Sequence, residues 1–238
     1  MNRNRKWKSF QKLTEKCYEN MIGAEEDSSC WQKGFELLKE LVLEERKTDP
    51  QFASELELLD DVTDYRFDIE GWLEDCLDEM DMREEHAVLL RMCDDLLELF
   101  TWPEYTGSDL KFQKASALSS LGKIQEAAKF CDKWIKKEPE NIVAATAGVY
   151  AYMKNGEQKK ARDLIEKFIP DGMICCDDND IMFTAASVFY EKTGDTKKQE
   201  QMEAALEAYD QELEAYFSEY NEMDEDDDVL WDEEDLPF

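Results

Sequence analysis

The fold of this chain is decided by one stretch, Ser108–Pro170, whose sequence is SDLKFQKASALSSLGKIQEAAKFCDKWIKKEPENIVAATAGVYAYMKNGEQKKARDLIEKFIP. Apolar residues recur in this stretch at helical spacing. Gly122 and Gly156 are 34 residues apart, as are Ala127 and Ala161; each glycine closes one apolar segment and each alanine lies in the next. Glycine permits the tight turn between two helices, and a small alanine lets the helices approach closely. The stretch therefore predicts two consecutive helical hairpins that repeat one another.

These positions resemble the tetratricopeptide repeat, a helical hairpin of 34 residues. The small residue Ala115, the large apolar residues Leu118 and Tyr152, and the closing Pro139 fall at the positions that the family uses. The second unit departs from the family pattern, because Val149 takes the small position and the unit has no proline at position 32, where the first unit has Pro139. The resemblance implies an α-solenoid that binds a protein partner through variable side chains. The groove-facing side chains that it implies are Phe112, Ser116, Ser119, Thr146, Tyr150, Met153 and Lys154.

The remaining segments extend the helical pattern in both directions. Amphipathic helices are predicted over 1–22, 28–47, 51–64, 68–81 and 84–100 on one side, and over 181–193 and about 196–220 on the other. We expect three parts: a diverged helical part at 1–107 that is strongly acidic from residue 44, tetratricopeptide-like repeats with a capping helix at 108–220, and a flexible acidic tail at 221–238. The predicted fold class is all-α, a solenoid of helical hairpins with a disordered acidic tail.

The charge of the chain is strongly negative and unevenly distributed. Against 59 acidic residues stand 28 basic ones, a net charge of −31. By segment, the net charge is +1 for 1–43, −16 for 44–107, +4 for 108–169, −9 for 170–218 and −11 for 219–238. Such acidity disfavours direct binding to nucleic acid or to an anionic membrane, where lysine and arginine supply the affinity. Seven scattered cysteines, with no secretory signal and no long apolar run, predict a reducing cytoplasm.

Residues that carry enzyme chemistry do not form a recognisable constellation in this sequence. His86 is the single histidine, and it is interpreted as a surface residue early in an acidic helix. Cys175 and Cys176 lack the partners that a tetrahedral metal site needs, and the acidic run from Asp224 to Asp228 lacks the glycine and glutamate of a calcium loop. We therefore predict no catalytic residue, no metal and no cofactor.

The sequence of residues 227–238, DDVLWDEEDLPF, resembles the C-terminal tip of bacterial single-stranded-DNA-binding proteins. Those tips recruit replication, repair and recombination enzymes. The resemblance implies a bacterial or phage origin. It also implies that the ring of Phe238 is the anchor that fills a pocket of the partner protein, and that Pro237 and Leu236 orient the chain as the ring enters. The same resemblance implies that four acidic residues attract the tip to a basic surface of the partner: Asp232, Glu233, Glu234 and Asp235. Trp231 is an additional apolar residue beyond the family's tip, and it is interpreted either as a second anchor for the partner or as a residue that docks back on the body of the protein.

Three hypotheses for the function remain open at this stage. The first is a non-enzymatic adaptor whose solenoid binds a protein while the tip recruits, or competes for, proteins that recognise such tips. The second is an acidic DNA mimic that inhibits a nucleic-acid-binding protein with the surface of 44–107, through carboxylates among Asp60, Asp61, Asp64, Asp75, Asp78 and Glu79. The third is a generic scaffold with a solubilising tail. The lysines of 108–169 either line solvated helix faces or form a cationic patch for the acidic tail of the same or another molecule, or for another acidic peptide.

Overall fold

The computed structural model describes the backbone of residues 3–226 and the side chains of residues 5–218. The described residues form α-helices and no β-strand, and 73% of the chain is helical. The helices are α1 (Arg3–Met21), α2 (Ser29–Arg46), α3 (Leu58–Val62), α4 (Ile69–Met82), α5 (His86–Leu99), α6 (Ser108–Ser120), α7 (Ile124–Lys137), α8 (Ile142–Asn155), α9 (Gln158–Phe168), α10 (Asp180–Thr193) and α11 (Thr196–Asp226). The predicted all-α class is confirmed. None of the helices within the described residues combines the length and the apolar content that a membrane crossing requires.

Most helix boundaries agree with the sequence predictions, and the turns explain why. Gly122 and Gly156 adopt φ values of +74° and +77°, a backbone conformation that residues other than glycine rarely adopt. Asn141 caps the start of α8, because its side-chain oxygen accepts hydrogen bonds from the backbone N–H groups of Val143 and Ala144. The final helix runs to Asp226, six residues beyond its predicted end. Residues 227–238 lie outside the described part of the chain.

The predicted third helix over residues 51–64 is confirmed only in part, because Leu58–Val62 is helical and residues 51–57 form turns. Phe52 and Ala53 are buried in the turns that precede this helix, and Ala53 has a φ of 40°. Their carbonyl groups are bonded by the guanidinium of Arg46, which donates to the Phe52 carbonyl at 3.0 Å and to the Ala53 carbonyl at 2.5 Å. A side chain at the end of α2 thus satisfies backbone groups that a helix would otherwise satisfy.

The chain divides into two compact units, residues 1–130 and residues 131–238, and the division falls within α7. In the first unit α1 packs on α2, α4 contacts α2, α3 and α5, and α6 packs on α5. Its core is rich in aromatic rings. The indoles of Trp31 and Trp72 stack with their centroids 6.3 Å apart, and Phe10 meets Trp72 edge to face at 5.1 Å. These ring contacts join side chains of α1, α2 and α4 in one core.

The second unit is built on α10, which packs on α8, α9 and α11. Small residues make these close contacts possible, because Ala144, Ala147, Ala151 and Ala161 are all buried. Gly148 is buried in the same region, where a side chain would meet Ile135 and Leu164. The hairpin of α8 and α9 is the second of the two that the 34-residue period predicts.

Candidate functional site

The predicted groove-facing residues divide between two helices, each described within its own unit. On α6, Ser116 is exposed, whereas Phe112 and Ser119 are half-buried. On α8, Lys154 is exposed, and Tyr150 and Met153 are half-buried.

Thr146 does not belong to an accessible surface, which corrects the sequence prediction. It is 1% exposed, and its hydroxyl donates to the Ile142 carbonyl at 2.8 Å. Its hydroxyl also lies 3.9 Å from the Met182 sulfur on α10. The packing of α10 on α8, which the repeat pattern does not show, covers this position.

The predicted tip residues, Trp231, Asp232, Glu233, Glu234, Asp235, Leu236, Pro237 and Phe238, lie outside the described residues. The interpretation of the tip as a binding element therefore depends on its sequence alone. The structure supplies only its point of departure, since α11 leads towards it as far as Asp226.

The cysteines act as packing residues. Six of the seven are buried, and burial raises the pKa of Cys76, Cys93 and Cys131 to about 12 each. A thiol that stays protonated is a poor nucleophile and a poor metal ligand. Cys176 is the exposed cysteine of the seven. Across the described residues, no group of histidine, cysteine, aspartate and glutamate side chains is arranged to hold a metal ion.

His86 is the first residue of α5 and is more enclosed than a surface residue. Its side chain is 21% exposed, and its Nδ1 atom lies 3.5 Å from an Asp81 carboxylate oxygen. The Nδ1 atom is buried without a hydrogen-bond partner. The pair has the geometry of a local ion pair when the imidazole is protonated.

A groove of about 310 Å³ opens in the first unit, and the sequence reasoning did not find it. Its apolar floor combines α4, α5, α6 and the loops before α3 and α6; the apolar residues are Leu56, Leu73, Leu77, Leu96, Trp102 and Leu110. Trp102 is fixed there, because its indole N–H donates to the Leu96 carbonyl at 3.3 Å. Gly107 packs so closely on the indole that an added Cβ would lie 3.0 Å from its Cγ atom. The loop between α5 and α6 thus forms one wall of the groove.

The rim of this groove is acidic. It is formed by Glu70, Glu74 and Asp78 of α4 and by Asp109 of α6. The spacing of four residues between successive α4 carboxylates places them in one row along the helix. None of the four forms an ion pair with a basic side chain among the described residues. A sequence search for carboxylates at i, i+4 and i+8 beside leucines at i+3 and i+7 would have found this row.

Two of the rim carboxylates, Glu70 and Asp78, are held in an environment that disfavours their charged form. Burial, and then the charges of Glu57 and Glu74, raise the pKa of Glu70 above its ordinary value. Burial, and then the charges of Asp75 and Asp81, raise the pKa of Asp78 in the same direction. A cation placed beside these two carboxylates would lower their pKa values again, because an opposite charge favours the charged form of a carboxyl group.

Two of the six carboxylates predicted for a DNA-mimic surface have structural roles instead. Asp60 is buried, and its carboxylate accepts the backbone N–H groups of Ile69 at 2.7 Å and Glu70 at 3.0 Å. It therefore caps α4, since the local residue Asp68 makes no capping bond. Glu79 is buried and accepts the Arg83 Nε–H at 2.7 Å. Only Asp61, Asp64, Asp75 and Asp78 of that set keep side chains that are exposed or half-buried.

Several lysines of 108–169 are engaged in ion pairs. Lys160 binds Asp132 at 3.1 Å and Glu157 at 2.9 Å, and its ammonium lies 4.8 Å from the centre of the Tyr152 ring. Lys167 binds Glu140 at 3.0 Å. These contacts are local to the second unit and agree with the interpretation of the lysines as residues of solvated helix faces.

The comparisons with known proteins give this chain no relative. No protein-family model, no curated protein and no solved structure matches it. The functional argument therefore depends on the residues and their geometry.

Proposed function

We propose that this protein is a non-enzymatic adaptor in which a helical body binds one protein and the C-terminal tip binds another. The body is a tetratricopeptide-like solenoid of hairpins in this proposal. The 34-residue period and the turns at Gly122 and Gly156 support that assignment. Seven unpaired cysteines fit a reducing, cytoplasmic setting.

The observation that carries the proposal is the sequence of the tip, an acidic run followed by Leu236, Pro237 and Phe238. The phenyl ring of Phe238 can fill an apolar pocket of the partner while the main-chain carboxylate of the same residue pairs with an arginine of the partner. Pro237 restricts the backbone and so reduces the entropy lost on binding. The acidic residues attract the segment to a basic rim and raise the association rate.

The test is binding to a helicase or exonuclease that recognises single-stranded-DNA-binding-protein tips. We expect Phe238→Ala to weaken binding at least tenfold, a loss of about 1.4 kcal/mol or more. Phe217→Ala is the matched control, because it removes another aromatic ring that is 58% exposed on α11. Equal affinity of the Phe238→Ala variant and the unaltered protein would exclude the tip as the binding element.

A second candidate function is an acidic mimic of nucleic acid that occupies a cationic channel. The exposed carboxylates of 44–107, together with the raised pKa values of Glu70 and Asp78, favour it. Binding of this kind weakens steeply with salt and survives deletion of residues 222–238. Neutralisation of Asp61, Asp64 and Asp78 tests it without disturbing the structural carboxylates Asp60 and Glu79; unchanged affinity of that triple variant would exclude it.

A further inference from the structure

The last helix, α11, is longer than the helix on which it packs. It has 31 residues and α10 has 14, which correspond to lengths of roughly 46 Å and 21 Å at 1.5 Å per residue. The two helices run antiparallel, because the Ser187 hydroxyl donates to Glu203 at 3.4 Å and the Tyr209 hydroxyl donates at 3.5 Å to Asp177, which precedes α10. From Tyr209 onward, α11 therefore continues past the beginning of α10.

Apolar residues of α11 follow the spacing of a coiled coil, with steps of three and four residues in alternation. They take positions a and d of a heptad and form one seam along the helix: Leu206, Tyr209, Leu213 and Tyr216, with Tyr220 next in the sequence. The first three are half-buried, whereas Tyr216 is 63% exposed. A helix that only ends a stack of hairpins needs a polar outer face. The seam instead serves α10 at its beginning and presents an accessible apolar surface beyond it.

The charge beside the seam decides which kind of helix can cover it. Asp210 and Glu212 flank the seam and are exposed, and no lysine or arginine follows Lys198 in the chain. In a coiled coil the flanking residues of the two helices lie opposite one another, so their charges select the partner. A second copy of α11, or the acidic residues 227–238, would place negative charge against negative charge. A helix with lysine or arginine beside its own seam has the complementary charge.

We propose that the part of α11 beyond Tyr209 forms a coiled coil with a basic amphipathic helix of a partner protein. The apolar seam of that helix packs on Leu213 and Tyr216, and its flanking lysine or arginine residues pair with Asp210 and Glu212. This inference deepens the proposed adaptor, because it names a docking surface of the helical body and the class of partner. It does not use the C-terminal tip, so the tip and the seam can fail their tests separately.

The test uses the full chain and a fluorescein-labelled peptide of about three heptads, with leucine at positions a and d and lysine at positions e and g. The lysines also keep the peptide from pairing with itself. We expect saturable binding by fluorescence anisotropy. A scrambled peptide of the same composition keeps the charge and loses the seam, and we expect it to bind at least tenfold more weakly. Equal binding of the two peptides would overturn the proposal, because charge alone would then explain the affinity.

Substitutions in the seam locate the peptide on the protein. We expect Leu213→Gln with Tyr216→Gln to weaken binding at least tenfold, since both apolar contacts are lost while glutamine keeps the helix propensity of α11. Far-ultraviolet circular dichroism checks that the helix content is unchanged. The matched control is Leu43→Gln with Tyr105→Gln, which alters a leucine and a tyrosine that are each 48% exposed in the first unit. A control that loses as much affinity as the seam variant would refute binding at α11.

Substitutions of the flanking carboxylates test the charge pairing. We expect Asp210→Asn with Glu212→Gln to weaken binding about threefold to tenfold at low salt, the effect of losing two exposed ion pairs. The matched control is Glu207→Gln with Glu214→Gln, which removes the same charge from exposed positions on the outer face of α11. Equal losses in the two variants would contradict pairing beside the seam.

Two other occupants of the seam would give different results. We expect light scattering to show a monomer at micromolar concentration, and a dimer that dissociates in Tyr216→Gln would overturn the proposal in favour of a second copy. We also expect Trp231→Gln to leave the affinity for the peptide unchanged. A gain of tenfold or more in that variant would show that the end of the same chain competes for the seam, and it would overturn the proposal in favour of that occupant.

Discussion

A methyl group added at Gly34 tests the packing of α2 against the tryptophan core. In Gly34→Ala the new Cβ would lie 2.7 Å and 2.9 Å from two carbon atoms of the Trp72 indole, closer than such atoms approach. Trp72 is fully buried, and its ring stacks against Trp31 at an angle of 13°, so the indole cannot move aside. Alanine favours a helix interior over glycine by about 1 kcal/mol, whereas overpacking of a core costs roughly 1–3 kcal/mol. Because the indole is held rigidly, the overpacking cost lies in the upper part of that range, at about 2–3 kcal/mol, and we expect a net loss of about 1–2 kcal/mol in the free energy of unfolding.

Gly148→Ala in α8 is the matched control for this reasoning. Its Cβ would lie 2.6 Å from the Ile135 Cδ1 atom and 3.0 Å from the Leu164 Cδ1 atom, which are the ends of flexible side chains. Because these methyl groups can rotate away, the helix-propensity gain offsets more of the cost, and we expect a change within about 0.5 kcal/mol. Urea denaturation followed by tryptophan fluorescence and circular dichroism measures both. A Gly34→Ala protein as stable as the unaltered one would refute the rigid tryptophan core.

Three further predictions concern charged groups of the first unit. Arg46→Lys removes the fork that reaches three backbone carbonyls, and we expect thermal denaturation to show a loss of about 2 kcal/mol; an unchanged midpoint would contradict it. Asp60→Ala leaves two N–H groups of α4 uncapped, and hydrogen exchange at Ile69 should quicken with a loss of about 1–2 kcal/mol; unaltered protection would count against the cap. Burial, and then neighbouring carboxylates, raise the pKa of Glu70, so the folded state binds its proton more tightly than the unfolded state, and stability falls as pH rises through that pKa. We therefore expect Glu70→Gln to raise the free energy of unfolding by roughly 0.2–0.5 kcal/mol at pH 7 and not to raise it near pH 3. Urea titrations at both pH values measure this difference, and a variant that is less stable than the unaltered protein at pH 7 would contradict the prediction.

Much of the fold could be predicted because its signals are local. Helices α4 to α10 begin and end close to the predicted residues, since apolar periodicity and the glycine turns depend only on neighbouring positions. The exception at residues 51–64 has a non-local cause. The Arg46 side chain binds carbonyl groups there, and nothing in the residues of that segment indicates this.

The candidate site was less predictable than the fold. Thr146 fits a groove-facing position of the repeat, yet α10 covers it. The acidic region was identified from composition, but composition does not distinguish a carboxylate that caps a helix from one that lines a groove. Asp60 and Glu74 show the difference, because the first binds backbone N–H groups of α4 and the second is exposed on the rim.

The sequence by itself determined that this chain is helical, where most of its helices and turns lie, and how its charge is distributed. These properties follow from the spacing and chemistry of residues that are neighbours along the chain. Only the tertiary structure decided which carboxylates support the fold and which face solvent, and only it brought Leu73, Leu96, Trp102 and Leu110 together as one floor. The physical reason is that hydrogen bonds and apolar contacts act over a few ångströms, so a site depends on residues that folding, and not chain order, brings together.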